Sequence, residues 1–198
     1  MSTILHINSS IRGPEESVTR TLSRTLVEGL NADGNAKIIT RDLADNDIPF
    51  VDANRFAANL TPPTERTAEQ QELAAIADTL IEELQAADTI VFGVPIYNFG
   101  PPAVVKAWAD MVARAGTTFE YTENGPEGKM TGKKAYLAIA SGGTDVGSDM
   151  DFMSSWLKFF LGFLGISDVE MVYADGIMGE GGEEKIAAAK DEAAEMVA

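Results

Sequence analysis

Val94-Pro95-Ile96-Tyr97-Asn98-Phe99-Gly100-Pro101-Pro102 is the stretch on which the reading of this chain turns. The run before it, Thr89-Ile90-Val91-Phe92-Gly93, is short, apolar and β-branched, the pattern of a strand buried on both faces. A helical pattern starts just beyond it, near Ala103. Three prolines restrict the backbone in between, and the Pro101-Pro102 pair stands where a helix opens. A strand, a stiff loop and a helix in succession build the crevice of an open α/β sheet at its carboxyl edge. Tyr97 and Phe99 add flat apolar surface, and Asn98 offers both a donor and an acceptor to an imide. The segment suits a flat aromatic cofactor, although a plain turn needs no more than this.

Moving outward, residues 4–8 read as a buried strand, followed by a polar loop over 9–16. Ser17 is placed to cap a helix in which Leu22, Leu26, Val27 and Leu30 keep helical spacing. Residues 37–43 read as a second strand. Residues 44–66, with Pro49, Pro62 and Pro63, read as a long irregular connection, and such loops often serve function. From Thr67, Leu73, Ile76, Ala77, Leu80, Ile81 and Leu84 mark an amphipathic helix. After the opening strand come a helix over 103–114, a second long loop over 116–134, and a strand over 135–140 that ends in Ser141-Gly142-Gly143. An aromatic-rich helix over about 149–164, a strand over 169–173, a loop over 176–182 and a helical tail from Glu183 complete the chain.

Strands that alternate with helices give parallel βαβ units. The expected fold is α/β, a flavodoxin-like doubly wound five-stranded parallel sheet of order 2-1-3-4-5 with helices on both faces. One domain over residues 1–198 is the simplest division. The switch point of that order lies between strands 1 and 3, where ligands bind. It brings together the loops at 9–19, 95–102 and 141–143.

Composition excludes several functions. The formal charge is −16, from 31 acidic and 15 basic residues. Nucleic-acid affinity depends on Lys and Arg neutralising phosphates, so no nucleic-acid partner is expected. The charge reads as a solvated acidic surface or as adaptation to high salt. An anionic cofactor must then be held by local geometry against an adverse global field. The chain has no cysteine, which removes disulfides and thiolate chemistry. No apolar run approaches the ~20 residues of a membrane helix, so no membrane partner is expected. The opening MSTILHINSS lacks the pattern of a signal peptide, and a cytoplasmic location is expected. His6 is the single histidine and sits inside a strand, so it reads as structural; no metal site is expected. There is no G-x-x-x-x-G-K-[ST] and no G-x-G-x-x-G after the first strand.

Three loops remain. Ser9, Ser10, Ser17 and Thr19 supply hydroxyls beside a helix start, where free N–H groups and the helix dipole attract a monophosphate. Ser17 also reads as an ordinary cap. Ser141-Gly142-Gly143 lets backbone approach a ligand closely, and reads equally as a tight turn. The argument for a site lies in their convergence on one sheet edge.

The segments SSIRG, PIYNFGPP, ARAGTTFEYTENGPEG, TGKK and FLGFLGISDV resemble those of the FMN-dependent NADH-azoreductases, also known as NADH:quinone oxidoreductases, of the flavodoxin-like fold. The resemblance runs nearly end to end. It implies FMN held by Ser10, by Ser17, Val18 and Thr19, by Ile96, Tyr97, Asn98 and Phe99, and by Ala140, Ser141, Gly142 and Gly143. Some relatives have arginine at the position of Ser141. Tyr121 and Phe163, together with Phe99, are candidates for the apolar walls of a substrate pocket and read equally as core packing, while Asn59 is neutral where relatives can carry a basic residue in the loop over the flavin. The resemblance also implies a ping-pong exchange in which NADH or NADPH reduces bound FMN and a quinone or azo compound then reoxidises it. Because the cofactor does the redox chemistry, no side chain is assigned as catalytic. A homodimer with its sites at the subunit interface completes what the resemblance implies, and the apolar helix over 152–164 fits such a contact. The competing reading is a flavodoxin-type electron carrier that binds FMN without turning over a small substrate.

Overall fold

The computed structural model of the chain describes residues 1–45 and 48–198. Its apolar runs form the strands of one sheet: Thr3–Asn8 (β1), Lys37–Asp42 (β2), Thr89–Pro95 (β3), Lys134–Ala140 (β6) and Asp168–Ala174 (β7). All neighbouring pairs are parallel, in the order β2-β1-β3-β6-β7. Two short strands of a separate hairpin, Phe119–Thr122 (β4) and Gly125–Gly128 (β5), intervene in the count. With these set aside, the order is the expected 2-1-3-4-5.

The helices are Val18–Leu30 (α1), Ala53–Leu60 (α2), Ala68–Ala86 (α3), Ala103–Val112 (α4), Phe152–Phe163 (α5) and Gly182–Glu195 (α6). Their starts follow local chemistry. Ser17 accepts from the Arg20 N–H, as the sequence predicts. Thr67 and Gln70 form a reciprocal capping box at α3. Asp151 opens α5 by accepting from the N–H groups of Met153 and Ser154, and it also bonds Ser154 Oγ. Burial opposes ionisation of Asp151, but these bonds outweigh it and hold the carboxyl below its usual range.

Both long loops contain more structure than the sequence reading assigns. The stretch over 44–66 carries α2 and a 3-10 turn at Pro63–Glu65. Asp52 caps α2 by accepting from Arg55 N–H at 2.8 Å. The stretch over 116–134 carries the β4–β5 hairpin, turned through Glu123-Asn124. Asn-Gly at 124–125 is a hairpin signal, but Pro126 lies inside the second strand. Proline cannot donate to a ladder and survives there because the two-stranded ribbon is all edge.

Residues of the strands alternate between two core clusters. Ile90, Phe92 and Val94 join Leu80, Trp108 and Leu157. Ile4, Val91 and Tyr136 join Leu22, Leu26 and Ala189. Trp108 is the largest fully buried side chain. It stands edge-on to Phe92 (ring centroids 5.4 Å) and to Phe160 (6.1 Å). Truncating a residue so placed costs about 3–5 kcal/mol. This packing fixes the carboxyl ends of β1, β3 and β6 side by side.

Candidate active site

A crevice of about 230 Å³ opens at those carboxyl ends. Its first wall is the loop after β1 with the start of α1, where Ser10, Ser17, Val18 and Thr19 face it. Ser17 Oγ lies 3.1 Å from Thr19 Oγ1. Among the described residues, the N–H groups of Val18 and Thr19 have no partner. Free first-turn donors, three hydroxyls and a helix dipole form a cradle for a phosphate. Arg12, also on this wall, adds the positive charge that the acidic chain otherwise withholds. Arg20 braces the loop from behind. Its Nη2 donates to Ser10 O (2.7 Å), its Nε to Arg12 O (3.0 Å), and both terminal nitrogens bond Asp42.

The second wall is the segment after β3. Ile96 and Tyr97 line the crevice. Ile96 N–H donates to Ala140 O (2.9 Å), so the chain stays locked to β6 one residue beyond the strand. Tyr97 Oη accepts from Ile11 N–H (3.3 Å), which ties this wall to the first. Tyr97 and Gly100 then exchange both backbone bonds, at 2.9 and 3.0 Å, around a two-residue turn. The central residues Asn98 and Phe99 have φ of 49° and 69°. Asparagine tolerates this region, whereas phenylalanine is strained there by roughly 1–3 kcal/mol. The strain is held in place by Phe152 N–H, which donates to Phe99 O at 3.0 Å. The turn leaves the N–H groups of Asn98 and Phe99 without partners among the described residues.

The third wall is the segment after β6. Ala140, Ser141 and Gly142 line the crevice, and Gly143 follows outside it. Ser141 Oγ accepts from Thr144 N–H (2.8 Å), and Ser141 O and Gly142 O accept from Ile177 and Met178 N–H. These bonds bring Ile177 and Met178 in as an apolar side of the crevice. A methyl at Gly142 would stand 2.9 Å from Sδ of Met178, whose exposed, flexible side chain would have to shift.

The crevice thus gathers nine of the residues singled out in the three loops, while Asn98, Phe99 and Gly143 sit at its margin. Its chemistry fits FMN: an anion cradle at one end, a flat apolar slot between Ile96–Tyr97 and Met178, and free backbone donors at the other end. Sequence reasoning missed Arg12, Ile177 and Met178. Arg12 was visible within SSIRG; the Ile177–Met178 pair carried no local signal.

The expected substrate walls are placed differently. Phe163 meets Phe119 at 4.5 Å between ring centroids, and Tyr121 stands edge-on to Phe119 at 5.4 Å. Tyr121 is 76% exposed. Neither residue lines this crevice within one chain. Asn59 is buried instead, with its Nδ2 against Met111 Sδ. It lines a second cavity together with Arg66, Asp78 and Arg114, away from the three loops.

Comparison with known proteins gives the same fold and a family. A family model described as "Flavodoxin-like fold" matches residues 2–197. The FMN-dependent NADH:quinone oxidoreductase of Erythrobacter litoralis is 72% identical over the whole of both chains. The crystal structure of an azoreductase from Bacillus anthracis superposes with a TM-score of 0.90 at 28% identity, covering 100% of this chain and 99% of that one. An FMN-dependent NADH-azoreductase from Bacillus anthracis, solved in complex with FMN, gives 0.89 at 26% identity over 100% and 98% of the two chains.

Proposed function

We propose how the site works from one premise: the chain belongs to the flavodoxin-like FMN-dependent NADH:quinone oxidoreductases. It passes two electrons from NADH to quinones and reductively cleaves azo compounds. The observation that carries the reading is the strained Asn98–Phe99 turn, set beside a phosphate cradle at a sheet switch point. Strain of this kind persists where surrounding structure over-determines it, commonly at ligand clamps.

When bound, FMN would supply the two-electron redox chemistry between nicotinamide and acceptor. The chain's own groups bind and orient. The Val18 and Thr19 N–H groups with Ser10, Ser17 and Thr19 hydroxyls hold the phosphate, and Arg12 offsets its charge. Ile96 and Tyr97 support the ring. The free N–H groups of Asn98 and Phe99, with those of Gly142 and Gly143, would be the donors available to the polar edge of the ring. Ile177 and Met178 form the apolar side of the crevice. Donor and acceptor would share this one crevice in turn, which predicts ping-pong kinetics.

A homodimer belongs to the same proposal. The crevice is smaller than the ~300 Å³ lower bound usual for ligand pockets, as expected when one subunit leaves a side open. Phe152 and Phe159 are exposed on α5 around a shallow apolar depression that also includes Pro101 and Trp156. Exposed aromatics of this extent mark a contact surface. The Tyr121 hairpin then closes a crevice across the interface, with Phe163 behind it. Residues 1–198 act as one FMN-binding domain, and the alternation of strand residues between two clusters supports helices on both faces of the sheet. No helix among the described residues is long and apolar enough to cross a membrane, and a cytoplasmic location fits the use of NADH.

Asn98→Ala tests the assignment. It removes a residue suited to the left-handed region and the amide beside the ring. FMN affinity or the rate of flavin reduction by NADH is expected to fall about tenfold, the equivalent of one lost charge-assisted bond. Ser167→Ala, at the amino end of β7 and so at the opposite edge of the sheet, is expected to change neither. Equal effects of the two changes remove Asn98 from the site.

A further inference from the structure

Beneath the crevice lies a polar cluster that the mechanism does not use. Asn8 Nδ2 donates to His6 Nε2 (3.2 Å), and Ser23 Oγ lies 2.9 Å from the same nitrogen. Ser23 Oγ also reaches Asn8 Oδ1 (3.2 Å) and Arg20 O (3.2 Å). His6 and Asn8 belong to β1 and Ser23 to α1. With Nε2 accepting from Asn8 Nδ2, the imidazole is neutral with its proton on Nδ1, and the single Ser23 hydroxyl proton serves one of Nε2, Asn8 Oδ1 and Arg20 O at a time.

The cluster touches the base of two ligand loops. A methyl at Gly93 of β3 would stand 2.8 Å from Asn8 Oδ1, 3.0 Å from Ser23 Oγ and 3.1 Å from Thr19 O. The Gly93 carbonyl accepts from both Ser9 N–H (3.1 Å) and Ser9 Oγ (2.9 Å), and Ser9 precedes the phosphate loop. On the other side, Ser23 bonds the carbonyl of Arg20, whose guanidinium braces that loop. A cluster joining β1, β3 and α1 at this level therefore sets where the loop and the first turn of α1 stand.

We propose that His6 is a positioning residue for FMN: through Asn8 and Ser23 it locks the end of β1 to α1 and so holds the phosphate cradle in its binding geometry. The inference rests on the FMN reading of the crevice. Neutrality of His6 has physical causes. Burial disfavours its charged form first, the Arg20 guanidinium from α1 adds to this, and Asp42 from β2 opposes both; the result is a pKa lowered to about 4. The unfolded imidazole takes its proton near 6.5. The folded state therefore binds fewer protons between these values, and stability declines as pH falls from about 6.5 towards 4. His6 is the only histidine in the chain, so the part of the slope between pH 5.5 and 7 that His6→Gln removes belongs to it.

The test compares His6→Gln, His6→Leu and Ser23→Ala with the native protein. FMN dissociation constants are measured by fluorescence quenching at pH 7.5, and denaturant midpoints from pH 5.5 to 7. A glutamine amide places an oxygen or nitrogen where Nε2 stands. His6→Gln is expected to bind FMN within about threefold of native while losing the pH slope. His6→Leu leaves Asn8 without its partner, and tenfold or weaker FMN binding is expected. Ser23→Ala is expected to weaken FMN in the same direction and keeps the test open should His6→Leu fail to fold. Leu84→Ala, in the other core cluster, lowers stability and is expected to leave FMN binding unchanged. Native-like FMN binding by His6→Leu or Ser23→Ala, or a His6→Gln variant that keeps the native pH slope, overturns the proposal alone. A native protein that takes up no FMN overturns the functional reading as well.

Discussion

Gly128→Ala is expected to lower stability by about 3 kcal/mol, the upper range for overpacking, and to cut quinone turnover while FMN content stays near native. A methyl at Gly128 would stand 2.0 Å from Gly165 N and 2.1 Å from Leu164 C. Both are backbone atoms just after α5, so no side chain can turn aside. Gly165 itself has φ of 99° and cannot readily rearrange with another residue in the way. The crossing is sealed by Met130 N–H, which donates to Leu164 O at 2.8 Å. It is the seam between the β4–β5 hairpin and α5, and it brings Phe119 against Phe163. Tyr121 rides on that hairpin, and with Tyr121 as the proposed acceptor wall the change separates that wall from the cofactor crevice. Urea midpoints and steady-state quinone rates read the two effects. A native midpoint together with native turnover contradicts this placement of the hairpin.

Asp78→Asn is expected to lose on the order of 3 kcal/mol. Asp78 receives Nη1 of Arg66 and Nη1 of Arg114, each at 2.5 Å. Both guanidiniums are about nine-tenths buried, whereas the Asp78 side chain is 31% exposed. Removing its charge leaves two buried cations facing each other, and the exposure of Asp78 keeps the loss at the low end of the range for broken buried pairs. Burial opposes ionisation of Asp78, but the bonds and charges of Arg66 and Arg114 outweigh it and lower its pKa. The contribution is therefore complete above the ordinary carboxylate pKa of about 3.9 and fades as pH falls below it. Asp110→Asn gives the contrast. Its partner Lys106 lies on an exposed stretch of α4, with side chains 56% and 46% accessible, and a change under 1 kcal/mol is expected. Chemical denaturation at pH 7 and pH 3 measures both. An Asp78→Asn variant as stable as Asp110→Asn at pH 7 contradicts the account of the cluster.

The sheet was legible because β3 and β6 are apolar runs buried on both faces, and their spacing with helices leaves one topology. The first wall of the crevice was legible for a local reason: Ser17 caps α1 beside free first-turn N–H groups, an arrangement suited to an anion and equally to a plain helix start. The remainder depends on contacts between distant segments. Ile177 and Met178 enter the crevice only because β7 pairs with β6, which lets Ser141 and Gly142 carbonyls accept their N–H groups. The strain at Phe99 comes from a bond to Phe152, 53 positions along the chain. Helix α2 is one face deep, with Phe56 and Leu60 exposed, so its apolar spacing is too short to register against the prolines around it. Asn59 shows the limit of carrying a position over by resemblance. Within one chain its side chain packs on α4 rather than over the crevice.

The most direct measurement is the steady-state rate of quinone reduction by the FMN-loaded protein, with NADH and quinone both varied. Parallel double-reciprocal lines, and a rate that disappears when FMN is removed and returns when it is restored, are the predicted result. Reduction that halts at a one-electron-reduced flavin with no quinone turnover would instead make the protein an electron carrier and contradict the account.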